Sequence, residues 1–80
     1  MSNEEYIDKI ISIAQLSGIK INNESNRLDM CEGWNSINLI MFIGECEKTF
    51  NVKFGVKAIV RIHTIEDILS IIMERRKNNE

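Results

Sequence analysis

The chain has 80 residues, enough for one small domain and near the lower limit of what folds without a disulfide or a metal. Its composition, 44% hydrophobic and 28% charged, is globular and argues against global disorder. The net charge of −2 gives no support to a nucleic-acid-binding protein, which usually shows a basic face. We therefore predict a single domain over residues 1–80 with no nucleic-acid partner.

No segment of the sequence resembles a membrane span or a secretory signal. The longest uninterrupted apolar run, Leu39–Ile43, has five residues, whereas a spanning helix needs about 20. The N-terminus begins acidic, with three carboxylates between residues 4 and 8, which is unlike a signal peptide. The two cysteines, Cys31 and Cys46, form neither a CxxC pair nor a disulfide framework. We expect a cytoplasmic monomer.

Residues 3–17 are predicted to form the first helix. Ser2 and Glu5 have the spacing of a capping box, and Gly18 has the position of a helix stop. Four apolar residues follow the i, i+3, i+4, i+7 rule and predict the buried stripe: Ile7, Ile10, Ile11 and Ala14.

Residues 19–35 show no periodicity and are rich in turn formers, most of them between residues 22 and 26. A loop of this length in so small a domain is unusual and tends to be functional. We expect Leu28 and Met30 to anchor it across the helices.

Residues 36–50 are predicted to form the second helix, with Asn35 as its N-cap. Five residues lie at offsets 0, 3, 4, 7 and 11 and predict its core stripe: Leu39, Phe42, Ile43, Cys46 and Phe50. Within this stripe the free thiol of Cys46 is expected to behave as a small hydrophobic group.

Three further apolar residues of this helix, Ile37, Ile40 and Met41, lie outside the stripe. Either the helix is buried on two sides, or these residues form an exposed apolar patch that binds partners. Their position beside Ser36 favours the patch.

Residues 51–57 alternate like a strand but have no second strand to pair with. We interpret them as a linker whose Val52 and Phe54 enter the core, followed by a short helix over residues 56–60. The only charged residues between positions 51 and 63 are basic: Lys53, Lys57 and Arg61. Keeping a connecting segment solvated explains these charges better than a binding role.

Residues 64–77 are predicted to form the last helix, with Thr64 as N-cap and acidic residues in the first turn. Its predicted buried stripe is Ile65, Ile68, Leu69 and Ile72. The basic residues Arg75, Arg76 and Lys77 would complement the C-terminal end of the helix dipole. The fold class is therefore an all-α, small four-helix bundle: three main helices, a short third helix, and a long loop between the first two.

No catalytic arrangement is recognisable in the sequence. The only histidine, His63, stands at a helix entry, where a surface or capping role is the more common one, and no nucleophile–base pair can be built around it. No metal-ligand spacing and no glycine-rich phosphate loop are present. We expect a protein that is not an enzyme.

The order of these features resembles the acyl carrier proteins, small four-helix bundles that carry acyl groups on a phosphopantetheine arm. Their attachment motif, W-D-S-L in many carriers of polyketide and peptide synthetases, stands here as Trp34-Asn35-Ser36-Ile37. Two further signals follow at the family's spacing, so that the resemblance covers residues 3–75. They are Glu45, Glu47 and Phe50 before Val52 and Phe54, and the helix start Thr64-Ile65-Glu66-Asp67-Ile68.

The resemblance implies that Ser36 carries a covalent 4'-phosphopantetheine derived from coenzyme A, which holds acyl intermediates as thioesters. It implies a role in polyketide, specialised lipid or fatty-acid-like biosynthesis. The implied partners are a phosphopantetheinyl transferase, an acyl-loading ligase or acyltransferase, and a condensing or transferring enzyme. The implied docking residues surround the serine: Asn35, Ile37, Ile40, Met41 and Glu45.

The sequence departs from the family at two points. Asn35 stands where the family usually has an aspartate that helps to engage the modifying enzyme and its magnesium ion. The second helix is also less acidic than in fatty-acid carriers, since Gly44 and Lys48 stand beside only two glutamates. One alternative is therefore a helical interaction module that is no longer phosphopantetheinylated. A more distant one, a helix-turn-helix DNA binder, lacks a basic recognition helix.

Overall fold

The computed structural model describes residues 2–21 and 27–78, so the turn formers predicted at residues 22–26 lie outside it. The described residues form four α-helices and one 3-10 turn, Leu28–Met30, and contain only isolated bridges in place of strands. The helices are α1 (Asn3–Leu16), α2 (Ser36–Phe50), α3 (Val56–Ile59) and α4 (Ile65–Asn78). The predicted all-α bundle is confirmed. The predicted bounds of α2 are correct, and those of α1, α3 and α4 are each off by a single residue at one end or both.

The core lies where α1 packs against both α2 and α4. The Tyr6 and Phe50 rings meet there with their centroids 5.4 Å apart. Side chains from every main helix and from the loop are completely buried: Ile10, Ile19, Leu28, Phe42, Cys46, Ile68 and Ile72. The long loop is thus part of the core and not an external connection.

The buried face of α1 is rotated from the predicted one. Ile10 and Ala14 are buried as expected, but Ile7 and Ile11 are only half-buried. Tyr6 and Ile13 are buried in their place. Because α1 contacts two helices, its buried face is wider than a single stripe and is centred on a different side.

Similar shifts occur elsewhere. Leu39 and Leu69 were predicted to be buried and are half-buried, and Ile71 is buried instead. The anchoring role predicted for Met30 is wrong, since its side chain is 76% exposed while Leu28 is fully buried. Both residues belong to one 3-10 turn, in which positions two apart point to different sides.

The predicted N-caps are present. Ser2 and Glu5 form the capping box of α1. Thr64 and Asp67 form a second reciprocal pair at the start of α4. The backbone N–H of Asp67 donates to the hydroxyl of Thr64 at 3.1 Å, and the backbone N–H of Thr64 donates to the carboxylate of Asp67 at 3.0 Å. Asp67 also accepts the backbone N–H of His63 at 2.9 Å, and this bond is the main reason why the pKa of Asp67 is lowered.

The linker between α2 and α3 inserts into the core as predicted. Val52 and Phe54 are buried, and the Glu47 carboxylate accepts the N–H of Phe54 at 2.9 Å. The linker begins at Asn51, which ends α2 in the left-handed conformation (φ 55°).

The basic residues near the end of α4 do more than complement its dipole. Arg76 donates a hydrogen bond to the carbonyl of Phe50 at 2.9 Å, and Arg75 donates one to the carbonyl of Phe54 at 3.3 Å. Both bonds reach across the bundle: that of Arg76 ties α4 to the C-terminal end of α2, and that of Arg75 ties it to the linker. The side chain of Lys77 lies outside the described part.

Candidate functional site

Ser36 is the first residue of α2, and its side chain is exposed. Asn35 precedes it in an extended conformation and accepts the N–H of Asn38 on its side-chain oxygen at 2.9 Å, which confirms the predicted N-cap. Within the described residues the hydroxyl of Ser36 has no hydrogen-bond partner. It stands beside the free N–H groups of the first turn, where the helix dipole is positive.

The loop that leads into Ser36 is packed tightly on the end of α1. Gly33 has φ +91°, and a Cβ placed on it would lie 2.0 Å from the carbonyl oxygen of Gly18, so no other residue fits there. Beside this contact the N–H of Lys20 donates to the carbonyl of Glu32 at 2.8 Å. Trp34 is half-buried against the core. These contacts fix the position at which α2 begins.

Asn38 is a site residue that the sequence reasoning missed. Its side-chain amide donates to the carbonyl of Gly33 at 2.9 Å and so connects the first turn of α2 back to the loop. The signal in the sequence is an asparagine at the third helical position, set among apolar neighbours where a polar side chain needs a specific partner.

The flank of α2 next to Ser36 is apolar and exposed, as the patch interpretation predicted. Ile37 and Ile40 are 73% and 72% exposed, and Met41 is 51% exposed. Burial on two sides is therefore excluded within the single chain. That partners dock on these residues stays a prediction.

The apolar surface extends further than predicted, onto the end of α1. Leu16 is 85% exposed and lines a groove of about 210 Å³ together with Met41 and Glu45. Glu45 is exposed, and its carboxylate lies 3.9 Å from the ammonium of Lys48. Isolated leucines near helix ends are common, so nothing in the sequence distinguished Leu16.

Ser36 is exposed, and it does not line any of the clefts identified among residues 2–21 and 27–78. A cleft of about 820 Å³ lies towards the opposite end of α2. Its walls are Gly44, Glu47, Lys48, Asn51, Val52, Lys53 and Arg75.

His63 belongs to an ionic cluster that holds the long loop on the start of α4. Its ring nitrogen lies 3.3 Å from the carboxylate of Asp29, and its carbonyl accepts the N–H of Leu28 at 2.8 Å. Arg27 makes two hydrogen bonds to the same carboxylate, at 2.9 and 2.8 Å. Above all because of Arg27, the pKa of Asp29 is lowered to about 2. These contacts have a structural role, because they hold the long loop against the start of α4.

The two thiols differ in environment. Cys46 is completely buried, and burial raises the pKa of its thiol to about 12, in agreement with its predicted place in the core. Cys31 is half-buried, and its thiol lies 3.3 Å from the carbonyl oxygen of Arg27.

No family model, curated protein or solved structure matches this chain. Within residues 2–21 and 27–78, no group of three or more histidine, cysteine or acidic side chains is arranged to hold a metal ion. Nor is any helix in this part of the chain both long and apolar enough to cross a membrane.

Proposed function

We propose that this protein is an acyl carrier, which holds acyl intermediates as thioesters on a 4'-phosphopantetheine arm attached to Ser36. The observation that carries the proposal is the exposed hydroxyl of Ser36 at the N-capped start of α2, beside an exposed apolar flank. A tethered arm has to begin at an accessible hydroxyl on a rigid element so that it reaches the active sites of several partners. The bundle and the motif Trp34-Asn35-Ser36-Ile37 support the same proposal.

The attachment reaction is a phosphoryl transfer performed by a partner enzyme. The oxygen of Ser36 bonds to the phosphorus that bears the pantetheine part of coenzyme A, and its proton passes to a basic group of the partner enzyme. The phosphoanhydride bond of coenzyme A breaks, and adenosine bisphosphate leaves. This chain supplies the nucleophilic oxygen, and the N-terminal end of α2 favours the phosphodiester that remains.

The partner enzymes would dock on the exposed flank of α2. Ile37, Ile40 and Met41 supply the apolar centre of this surface, and Leu16 extends it onto α1. Apolar centres with polar rims are usual in transient interfaces. Glu45 is the acidic group at this rim, so a partner that presents a lysine or arginine there fits best.

Asn35 replaces the family's aspartate without harming the helix. Its amide oxygen accepts the N–H of Asn38 as a carboxylate would, so the cap is retained while a negative charge is lost. We expect Asn35→Asp to speed the modification. An unchanged rate would show that the charge at this position has no role.

Intact-mass measurement after co-expression with a broad-specificity phosphopantetheinyl transferase tests the proposal. The wild-type chain should gain the mass of one phosphopantetheine, and Ser36→Ala should gain none. Ser70→Ala is the matched control, because Ser70 is an exposed serine on α4, and it should be modified like the wild type. A wild-type chain that gains no mass would favour the alternative, an interaction module without an arm.

A further inference from the structure

Asn38 connects three segments around Ser36. Its backbone N–H donates to the side chain of Asn35, and its side-chain amide donates to the carbonyl of Gly33, each at 2.9 Å. The same amide packs against Gly18, where an added Cβ would come within 3.0 Å of the amide nitrogen. This half-buried residue thus contacts the helix cap through its backbone, and the preceding loop and the end of α1 through its side chain.

The loop over residues 31–35 has few hydrogen bonds within itself and is held mainly by contacts with α1, α2 and Lys20. Inside the loop the N–H of Trp34 reaches the carbonyl of Cys31 at 3.3 Å, which is a long hydrogen bond. The loop is held to the end of α1 by the close approach of Gly33 to Gly18, and just beyond α1 by the hydrogen bond from the N–H of Lys20 to the carbonyl of Glu32 at 2.8 Å. The hydrogen bond from the side chain of Asn38 to the carbonyl of Gly33 holds Gly33 from the other side, that of α2.

We propose that Asn38 is a positioning residue that latches the loop over residues 31–35 and thereby fixes the orientation of Ser36 for the modifying enzyme. The inference rests on the proposed carrier function and goes beyond it, because it assigns a role to a residue outside the attachment motif. Asn38 does not react. It acts through Gly33 and Asn35, which determine where α2 begins.

The chemistry of the latch requires an amide. A carbonyl such as that of Gly33 needs a donor, and the side-chain NH₂ supplies it. Aspartate has the same shape but only acceptor oxygens when ionised, so Asn38→Asp loses the bond and places a carboxylate against the carbonyl. The added charge at the third position of α2 favours the helix itself. This variant therefore separates the latch from the stability of α2.

The only tryptophan of the chain lies in the latched loop and reports on it directly. Trp34 is half-buried in the wild type. In Asn38→Ala and Asn38→Asp, we expect its emission to shift to the red and acrylamide to quench it more strongly. The far-UV circular dichroism should stay unchanged, because no helix is lost. Asn3→Ala, at an exposed asparagine in the first turn of α1, is the matched control and should change neither signal.

Gly33→Ala disturbs the same latch from its other side. Its Cβ would collide with the carbonyl of Gly18, so the loop has to move away from α1. Because both changes release Gly33 from its position, the effects of Asn38→Ala and Gly33→Ala on Trp34 quenching should be less than additive. Additive effects would show that two separate contacts are involved and would overturn the latch.

Kinetics of modification then test the positioning role. A loosened loop has to be ordered each time the chain docks, so KM for the chain should rise in Asn38→Ala while kcat stays the same. The loss of one neutral hydrogen bond predicts a roughly threefold to tenfold rise. Asn3→Ala should keep the wild-type KM.

Each other result contradicts the inference in a different way. If Trp34 quenching and KM are both unchanged in Asn38→Ala, the latch does not exist, although the carrier function stands. If KM rises while Trp34 is unchanged, Asn38 touches the transferase directly and is not a latch. If the wild-type chain takes up no arm, the carrier proposal fails, and the positioning role fails with it.

Discussion

Two glycines with open surroundings should respond to alanine in opposite directions. Gly44 lies inside α2 on the exposed flank, and a Cβ added there would meet no atom within 4 Å. Gly55 also has open space around its missing Cβ, but its backbone is at φ 80° and ψ 161°. The pair therefore separates the effect of backbone conformation from the effect of packing.

The expected magnitudes follow from the backbone alone. Alanine is more stable than glycine inside a helix by about 0.5–1 kcal/mol, so Gly44→Ala should raise the free energy of unfolding by that amount. For a domain of this size each kcal/mol corresponds to roughly 4–8 °C, which predicts a rise in Tm of about 2–8 °C. The conformation of Gly55 is nearly exclusive to glycine, and alanine there should lower the free energy of unfolding by about 1–3 kcal/mol.

Urea unfolding followed by circular dichroism at 222 nm, a wavelength that reports helix content, measures both changes. We expect the m-value to be the same in both variants, so that a shift in midpoint is a shift in stability. A lower urea midpoint in Gly44→Ala would mean that the added Cβ collides with a neighbouring group, and would refute the open space around Gly44. A wild-type midpoint in Gly55→Ala would refute the strained conformation.

Three further predictions concern single contacts. Because the folded-state pKa of Asp29 lies below its unfolded value, the contribution of Asp29 to stability is present above pH 4 and is lost as the pH falls towards about 2. In Asp29→Asn, the free energy of unfolding should therefore fall less steeply over this acid range. A fall identical to that of the wild type would contradict the ion pair. Cys46, buried and with a raised pKa, should resist iodoacetamide in the native protein while Cys31 reacts, so Cys31→Ser should abolish labelling until urea is added. Arg76→Met keeps the aliphatic stem but loses the bond between α4 and α2; it should lower the free energy of unfolding by about 1 kcal/mol in urea titration, and an unchanged midpoint would show that the bond contributes nothing.

The helices could be predicted from the sequence because their signals are local. A capping box at Ser2, an N-cap at Asn35 and a cap at Thr64 each mark a helix start within a few residues, and all three are present. The exposure of Ile37 and Ile40 also followed from local periodicity, since both lie off the stripe of α2.

Features that depend on packing between distant segments could not be predicted. The buried face of α1 is set by two neighbouring helices, so Tyr6 and Ile13 replace Ile7 and Ile11 in the core. The bond from Arg76 to Phe50 spans 26 residues and has no local signature.

The candidate site shows the same division. The position of Ser36 at a helix start is a local property and was predicted. The polar Asn38 among apolar neighbours is a local signal, but its partner depends on how the loop packs Gly33 against Gly18, which is a contact between distant segments.

The packing of α1 on both α2 and α4 has a consequence for folding during synthesis. The partner that covers one side of α1 begins only at Ile65, so the nascent chain cannot close its core when α2 emerges from the ribosome. An α1–α2 hairpin would expose the apolar side chains that α4 covers in the finished protein, and such intermediates attract chaperones. Folding of this bundle therefore completes only after α4 has left the exit tunnel, later than the segment that carries Ser36.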